Sequence, residues 1–254
     1  MKDYPTNLTE VQCSAILEII NDNRKRNHSL REIFDAIFYL LKTGCQWRML
    51  PKDFPKWELV YYYFSKWKKD GTFEHINEVL RNKTRKKAGK KDSPSVALID
   101  SQSVKTTRSG GLGRGVDGGK KINGRKRHIV TDTMGLLLSV VVHPANEHDS
   151  KAGFNVIKTL NYRFDRLTKI FADGGYRGEL TGNVKSFFGW DMEISLRTDK
   201  ASNFQVLPKR WIVERTFSWF ESYRRLSKDF EFNPDTSEAM IQLAMIKLML
   251  NRIN

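Results

Sequence analysis

The 254-residue sequence predicts a small all-helical unit followed by an α/β domain, a mixed five-stranded sheet flanked by helices. Two observations carry this. Apolar residues recur at helical spacing through about residue 80, and from residue 95 short apolar runs bounded by turn residues replace them, three in succession and then alternating with helical segments. Strands joined by hairpins and followed by alternating helices and strands specify a mixed sheet covered on its faces.

In chain order, Val11, Ile16, Leu17, Ile19 and Ile20 mark a first helix over residues 8–23, with Thr9 as its cap. Ser29 and Glu32 form a capping box for a second helix ending near Gly44. Pro51 and Pro55 force a turn-rich connection to a third helix, residues 57–70, which mixes Tyr61, Tyr62, Tyr63, Phe64 and Trp67 with Lys66, Lys68 and Lys69. A fourth, residues 72–82, completes a unit of the size that hosts a helix-turn-helix. Its lysines either dock on DNA or complement a helix C-terminus. The cationic run RNKTRKKAGKKDSP, residues 81–94, reads as a linker. The expected division is therefore 1–80 helical and DNA-binding, 81–94 linker, 95–254 catalytic.

Beyond the linker, residues 95–99 form a strand ending at Asp100, followed by a basic, Gly-rich loop (110–124). Strands 127–131 and 136–142 flank the hairpin turn Asp132-Thr133-Met134-Gly135. A helix (151–161), a strand (168–172) ending at Asp173, a helix (180–188) and a strand (192–196) follow. The helix of residues 210–225 sets Glu214 on a polar face with Arg210, Ser218, Glu221 and Arg225, opposite Ile212, Trp219, Phe220 and Tyr223. Asp235 and Glu238 have capping-box spacing, and Met240, Leu243, Ile246, Leu248 and Met249 predict a largely buried closing helix.

A net charge of +15 and a pI near 9.8 favour a polyanionic partner, nucleic acid before an anionic membrane, because no basic amphipathic helix with a bulky apolar face is present. Cys13 and Cys45 make neither a disulfide framework nor a zinc site. With no signal-peptide core and no membrane-spanning run, the chain is expected to be soluble and cytoplasmic, associated with the nucleoid if bacterial.

Asp100 and Asp173 each close an apolar strand, where a charge is costly unless paired or bound to metal. Each taken alone also fits a turn or helix-cap aspartate, and Glu214 alone fits a surface i,i+4 ion pair with Arg210. Together the three carboxylates can surround two Mg²⁺ or Mn²⁺ ions about 4 Å apart, the arrangement for phosphodiester hydrolysis. Lys105, Arg108, Arg125, Lys126, Arg127, Arg177 and Arg225 are the cations expected to neutralise substrate phosphates.

Three blocks, ALIDSQSVK, FADGGYRG and RWIVERTFSWF, with GRKRHIVTDTMGLLLSVVVHPANEHD and TGCQWRMLP, resemble the DDE transposases of bacterial insertion sequences, family five within the larger family-four-type group. The resemblance covers most of the chain in order. It implies an RNase H-like catalytic domain with Asp100, Asp173 and Glu214 as metal ligands, Mg²⁺ as the ion, an N-terminal DNA-binding part, and a homodimer on paired transposon ends. The helix signature of the group is Tyr, then Arg, Glu and Lys spaced two, three and six residues apart. Arg210 and Glu214 match it; Leu207 stands for the Tyr and Glu221 for the Lys, and Arg225, on nearly the azimuth of Glu221, is the candidate replacement cation. The roughly forty residues between Asp173 and Glu214 leave no room for a large insertion domain, so end binding falls to the N-terminal helices and the 110–124 loop.

Of the remaining residues, His148 and Asp149 read as a helix-capping loop or as groups orienting water or DNA. His128 reads as an ordinary strand residue, Trp47 and Arg48 as core or DNA contact, and Trp211 and Trp219 as core before base stacking, with Trp211, beside Glu214, left open. The expected function is a transposase that binds terminal inverted repeats, cleaves the ends and joins the 3′-OH to target DNA. The rivals are a nuclease of the same fold without integration activity and a catalytically idle DNA-binding regulator.

Overall fold

The structure is a computed structural model that describes residues 3–22, 24–108, 110–195 and 210–253, the side chain of Arg210 excepted. Helices α1 (Glu10–Ile20), α2 (Leu30–Thr43), α3 (Trp57–Lys69) and α4 (Thr72–Lys87) precede strand β1 (Val96–Lys105). Then come β2 (Gly115–Asp117), β3 (Ile122–Asp132), β4 (Leu137–Pro144), α5 (Asp149–Lys158), β5 (Lys169–Asp173), α6 (Glu179–Phe188), β6 (Asp191–Ser195), α7 (Arg210–Glu221) and α8 (Pro234–Ile253).

Both capping boxes at the start of the chain form, Thr9 with Gln12 and Ser29 with Glu32, and each of these two helices ends on a residue in the left-handed region, Asn21 or Gly44. In the sheet, β1 is central: it pairs antiparallel with β3 on one side and parallel with β5 on the other, β4 lies outside β3, and β6 outside β5. The order β4-β3-β1-β5-β6 is the RNase H-like arrangement. A sixth strand, β2, inside the loop expected to be irregular, takes over the outer edge of β3 where β4 stops: Arg125 pairs with Pro144, and its neighbour Gly124 with Gly115.

Alternation along β1 and β5 separates two cores. Leu98 and Phe171 face one side, packing with α7, α8 and the N-terminal helices; Ala97, Ile99, Ile170 and Ala172 face the other, under α5 and α6.

The N-terminal helices share a core with the sheet, and the expected linker is structured. Residues 81–87 continue α4, with Arg81, Thr84 and Arg85 on one buried stripe and Lys83, Lys86 and Lys87 exposed. Arg85 forms a buried ion pair with Asp132 of the β3–β4 turn; Arg81 donates to Leu137 O at 3.2 Å and lies over the Phe164 ring. Burial lowers the Arg81 pKa to about 10. A run of like charge reads as a linker only while its partners are unknown, and here one face of the run finds them on the sheet. Asp132 also organises its own turn, accepting from Met134 N (2.8 Å) and Leu136 N (2.9 Å) through Oδ1, while Gly135 takes φ +79°. No helix among the described residues is long and apolar enough to cross a membrane.

Candidate active site

The last parallel rung between β1 and β5 joins Leu98 to Phe171. Two residues further along each strand stand Asp100 and Asp173, so period-2 alternation puts both carboxylates level on the face that α7 covers. They line one small cavity, about 10 Å³, with Leu98, Ile99, Phe171, Ala172, Ser195 and Val213. Ser195, paired with Asp173 in the β5–β6 ladder, is a wall of the site that sequence reasoning missed.

Local hydrogen bonds orient both acids. Asp100 Oδ1 accepts from Ser101 N at 2.7 Å. Asp173 Oδ1 accepts from Gly175 N at 2.8 Å, capping the single turn Gly174–Tyr176. Gly175 stands close to both acids: a Cβ there would lie 3.0 Å from Asp173 Oδ1, a tight contact that would press on the carboxylate, and 3.5 Å from Asp149 Oδ2.

Glu214 is exposed on α7, next to Val213 of the cavity wall. Burial of Ile212, Val213, Phe217 and Phe220 sets the helix's azimuth. The β3–β4 turn pins it as well, with Arg215 donating to Met134 O (3.1 Å) and Thr216 to Gly135 O (2.9 Å). Glu221, seven residues on and nearly the same azimuth, reaches Gln102 of β1, whose Nε2 donates to Glu221 Oε1 at 3.4 Å. Gln102 and Asp100 share a face of β1, so the Glu214–Glu221 stripe runs along the edge from which Asp100 projects. Among the described residues, however, no three His, Cys, Asp or Glu side chains converge closely enough to hold a metal ion. The Asp100–Asp173 pair offers only hard oxygen donors, which suits Mg²⁺ or Mn²⁺ and not a softer ion.

Behind the pair, a polar layer reaches the other core. Ser101, pointing away from Asp100, donates to Asp149 Oδ1 (2.8 Å), which also takes Lys126 Nζ at 3.0 Å. Burial pushes the Asp149 carboxyl up, but the Ser101 hydroxyl and the Lys126 ammonium outweigh it and leave it below its ordinary value. Asp149 opens α5 and His148 caps it, accepting from Ser150 N. Fully buried Tyr176 places its hydroxyl 2.6 Å from His128 Nε2, and His128 Nδ1 lies 3.2 Å from His143 Nε2. Burial first, then Asp100, Asp149 and Asp173, hold the Tyr176 hydroxyl well above its ordinary pKa. Burial, with His143, keeps His128 neutral. His128 is therefore the middle of a buried Tyr176–His128–His143 hydrogen-bonded row beneath the acids; a histidine on an apolar strand gave no sign of its tyrosine partner 48 residues away.

The expected DNA-facing cations divide. Arg125 is fully buried, ion-paired to Asp229 at 3.2 Å and donating to Glu231 O and Phe232 O; Arg127 is buried and donates to Leu226 O at 2.7 Å. Lys126 is held by Asp149 and Glu147 O. These three are turned into the fold, against the expectation, because β3 is covered on both faces and any cation on it must find an internal partner. Arg225 is corrected too. Helix α7 stops at Glu221 and Tyr223 is extended, so the azimuth it was to share with Glu221 does not exist; it is buried, bonded to Glu231 (2.6 Å) and Cys45 O (3.1 Å). Lys68 pairs with Asp235 at 2.6 Å. Arg48, Lys69, Lys105, Arg108 and Arg177 are exposed and Lys66 is half-buried. Trp47 packs against the core as expected, Trp219 is half-buried, and Trp211 is 46% exposed under the Arg215 guanidinium, against the core reading. Leu207 and the Arg210 side chain lie outside the described residues.

Comparison with known proteins gives the family. The profile of a family described as "Transposase DDE domain" matches residues 91–249, and one described as "Putative transposase of IS4/5 family" matches residues 10–77. A protein of Burkholderia cepacia, "Putative transposase for insertion sequence element IS402", is 29% identical over 138 residues. That alignment covers 51% of this chain and 64% of the relative's length.

Proposed function

The chain belongs to the transposase DDE-domain family of the IS4/IS5 type, and from that premise we propose that it is a transposase acting on the ends of its own insertion element. In this reading it binds the terminal inverted repeats as a homodimer, hydrolyses a phosphodiester at each end and transfers the freed 3′-OH to target DNA. The observation that carries the proposal is the register match of Asp100 and Asp173 on the face that α7 covers.

In this reading Asp100 and Asp173, which share the cavity, and Glu214, which stands next to its wall, are the residues that would hold two Mg²⁺ ions, with Mn²⁺ as a substitute. When bound, such ions activate an attacking oxygen and stabilise the leaving oxygen. The chain's own contribution is positional. Ser101 N and Gly175 N fix one oxygen of each aspartate, and the Asp149–Lys126 pair supports Ser101 from behind. Exposed Arg48, Lys69, Lys105, Arg108 and Arg177, with half-buried Lys66, remain the candidates for phosphate contact.

The test uses duplexes taken from the DNA flanking the coding sequence. Asp100→Asn, Asp173→Asn and Glu214→Gln are each expected to abolish Mg²⁺-dependent end cleavage while binding stays within about twofold, since phosphate contacts supply most of the affinity. Wild-type cleavage by any of the three refutes the assignment. Strand transfer from pre-cut ends separates a transposase from a nuclease of the same fold.

A further inference from the structure

A second concavity, about 400 Å³, lies where the 3₁₀ turn Trp47–Met49, the start of α3 and the segment before α8 meet. The volume is within the range of small-ligand sites, about 300–1,000 Å³. No residue of the active-site cavity lines it, and nothing in the cleavage chemistry above uses it.

Its lining combines three kinds of group. Aromatic rings come from Trp47, Trp57, Tyr61, Phe230 and Phe232, of which Tyr61, Phe230 and Phe232 are 44%, 41% and 64% exposed. Arg48 stacks over the Trp57 ring at 5.3 Å and has no acidic partner among the described residues. Gln46 and Asn233 are exposed amides, and neither side chain has a hydrogen-bond partner among the described residues. The buried Arg225–Glu231 pair forms a neutral part of the wall.

The most exposed ring stands on a rigid backbone. Phe232 O accepts from Leu112 N at 2.8 Å and from Arg125 Nη2 at 2.7 Å, and Gly111 approaches so closely that a Cβ there would come within 2.2 Å of the same oxygen. Thr106, just beyond β1, bridges to Asp229. A ring so exposed adds little to folding, and a ligand that stacks on it need not order the backbone that carries it.

We propose that this concavity binds an unpaired nucleobase of single-stranded DNA, stacked on its aromatic rings, with Arg48 on the adjoining phosphate and Gln46 and Asn233 at the base edge. Flat π-faces, amides able both to donate and to accept, and a lone guanidinium are what a nucleotide requires together. Aromatic rings and an arginine also suit a protein interface, so the choice between the two partners rests on charge. The net charge of +15 favours the polyanion. The inference rests on the transposase reading, in which strand cleavage frees nucleotides from the duplex.

The test measures anisotropy of a labelled oligothymidine of about 15 nucleotides, near the upper end of single-strand site sizes, against a labelled blunt duplex, both without divalent metal. Phe232→Ala and Arg48→Ala are compared with wild type; Phe232, being exposed, is removable without disturbing a core. Phe232→Ala is expected to weaken oligothymidine binding about tenfold and leave duplex binding within about twofold, while wild-type tryptophan fluorescence is quenched by oligothymidine. Unchanged oligothymidine affinity in Phe232→Ala, or equal losses on both probes in that variant, overturns the proposal and leaves the transposase reading standing; Arg48→Ala, which also removes a candidate duplex phosphate contact, is expected to weaken binding of both probes. Failure of wild type to bind either probe overturns both. A wild-type dimer that Phe232→Ala converts to monomer in sedimentation makes the concavity an interface between copies and overturns the base-binding role.

Discussion

Glu238 of α8 accepts the Val142 amide of β4 at 2.8 Å in a largely buried position, and burial raises its pKa from 4.5 to about 7. The Val142 N–H opposes that rise, Asp235 and Glu74 add to it, and Lys68 offsets part of it. A carboxyl that holds its proton more tightly folded than unfolded makes stability fall with rising pH. Below pH 4.5 the group is protonated in both states; between 4.5 and about 7 the unfolded chain ionises first; above about 7 the full penalty applies. At about 1.4 kcal/mol per pKa unit, the gap from 4.5 to about 7 corresponds to about 3 kcal/mol. Glu238→Gln keeps a carbonyl to accept from Val142 and removes the ionisation. At about 2–4 °C per kcal/mol for a chain near this size, the variant is expected to melt about 6–12 °C above wild type at pH 8.5 and to converge with it near pH 4.5. Calorimetry across that range is the assay. Melting curves that stay parallel with pH would show that Glu238 ionises as easily in the folded protein as in the unfolded chain, and the reasoning would be wrong.

Arg85→Ala leaves Asp132 buried without its cation and is expected to cost about 3–5 kcal/mol in urea unfolding; a loss below about 1 kcal/mol would mean that α4 is not anchored on the sheet through this pair. Tyr176→Phe removes the hydroxyl facing His128 Nε2 and is expected to cost about 1–3 kcal/mol while duplex DNA affinity is unchanged, measured by urea titration and anisotropy. A fall in DNA affinity with unaltered stability would move Tyr176 from the supporting layer into the binding surface.

Features that depend on a few consecutive residues were legible in the chain. The Ser29–Glu32 box, the Asp132–Gly135 turn and the strand ending at Asp173 follow from caps, turn residues and period-2 alternation, each of which acts within about five residues. So does the apolar stripe of α7, which needs only the helical period to set Glu214 opposite Ile212 and Phe220. Strand β1, by contrast, runs five residues past the expected end at Asp100, to Lys105, because its second half pairs with β3. Strand β2 escaped because three residues, Gly115, Val116 and Asp117, are too few to show a period. The end of α7 escaped because no proline or glycine marks it; the chain simply becomes extended at Tyr223.

The charged residues were the hard case. Sequence alone determined that the protein carries a helical part, a mixed sheet with an aspartate on each of two strands, and a large excess of cations. Tertiary structure alone decided which cations face inward. Arg125 meets Asp229, Arg85 meets Asp132, Lys126 meets Asp149 and Arg225 meets Cys45 O, partners 104, 47, 23 and 180 residues away. A lysine or arginine has the same local signature whether it waits for phosphate or closes a buried pair. The difference is a desolvation cost offset by one distant acid or carbonyl, and only the folded chain brings that partner within reach.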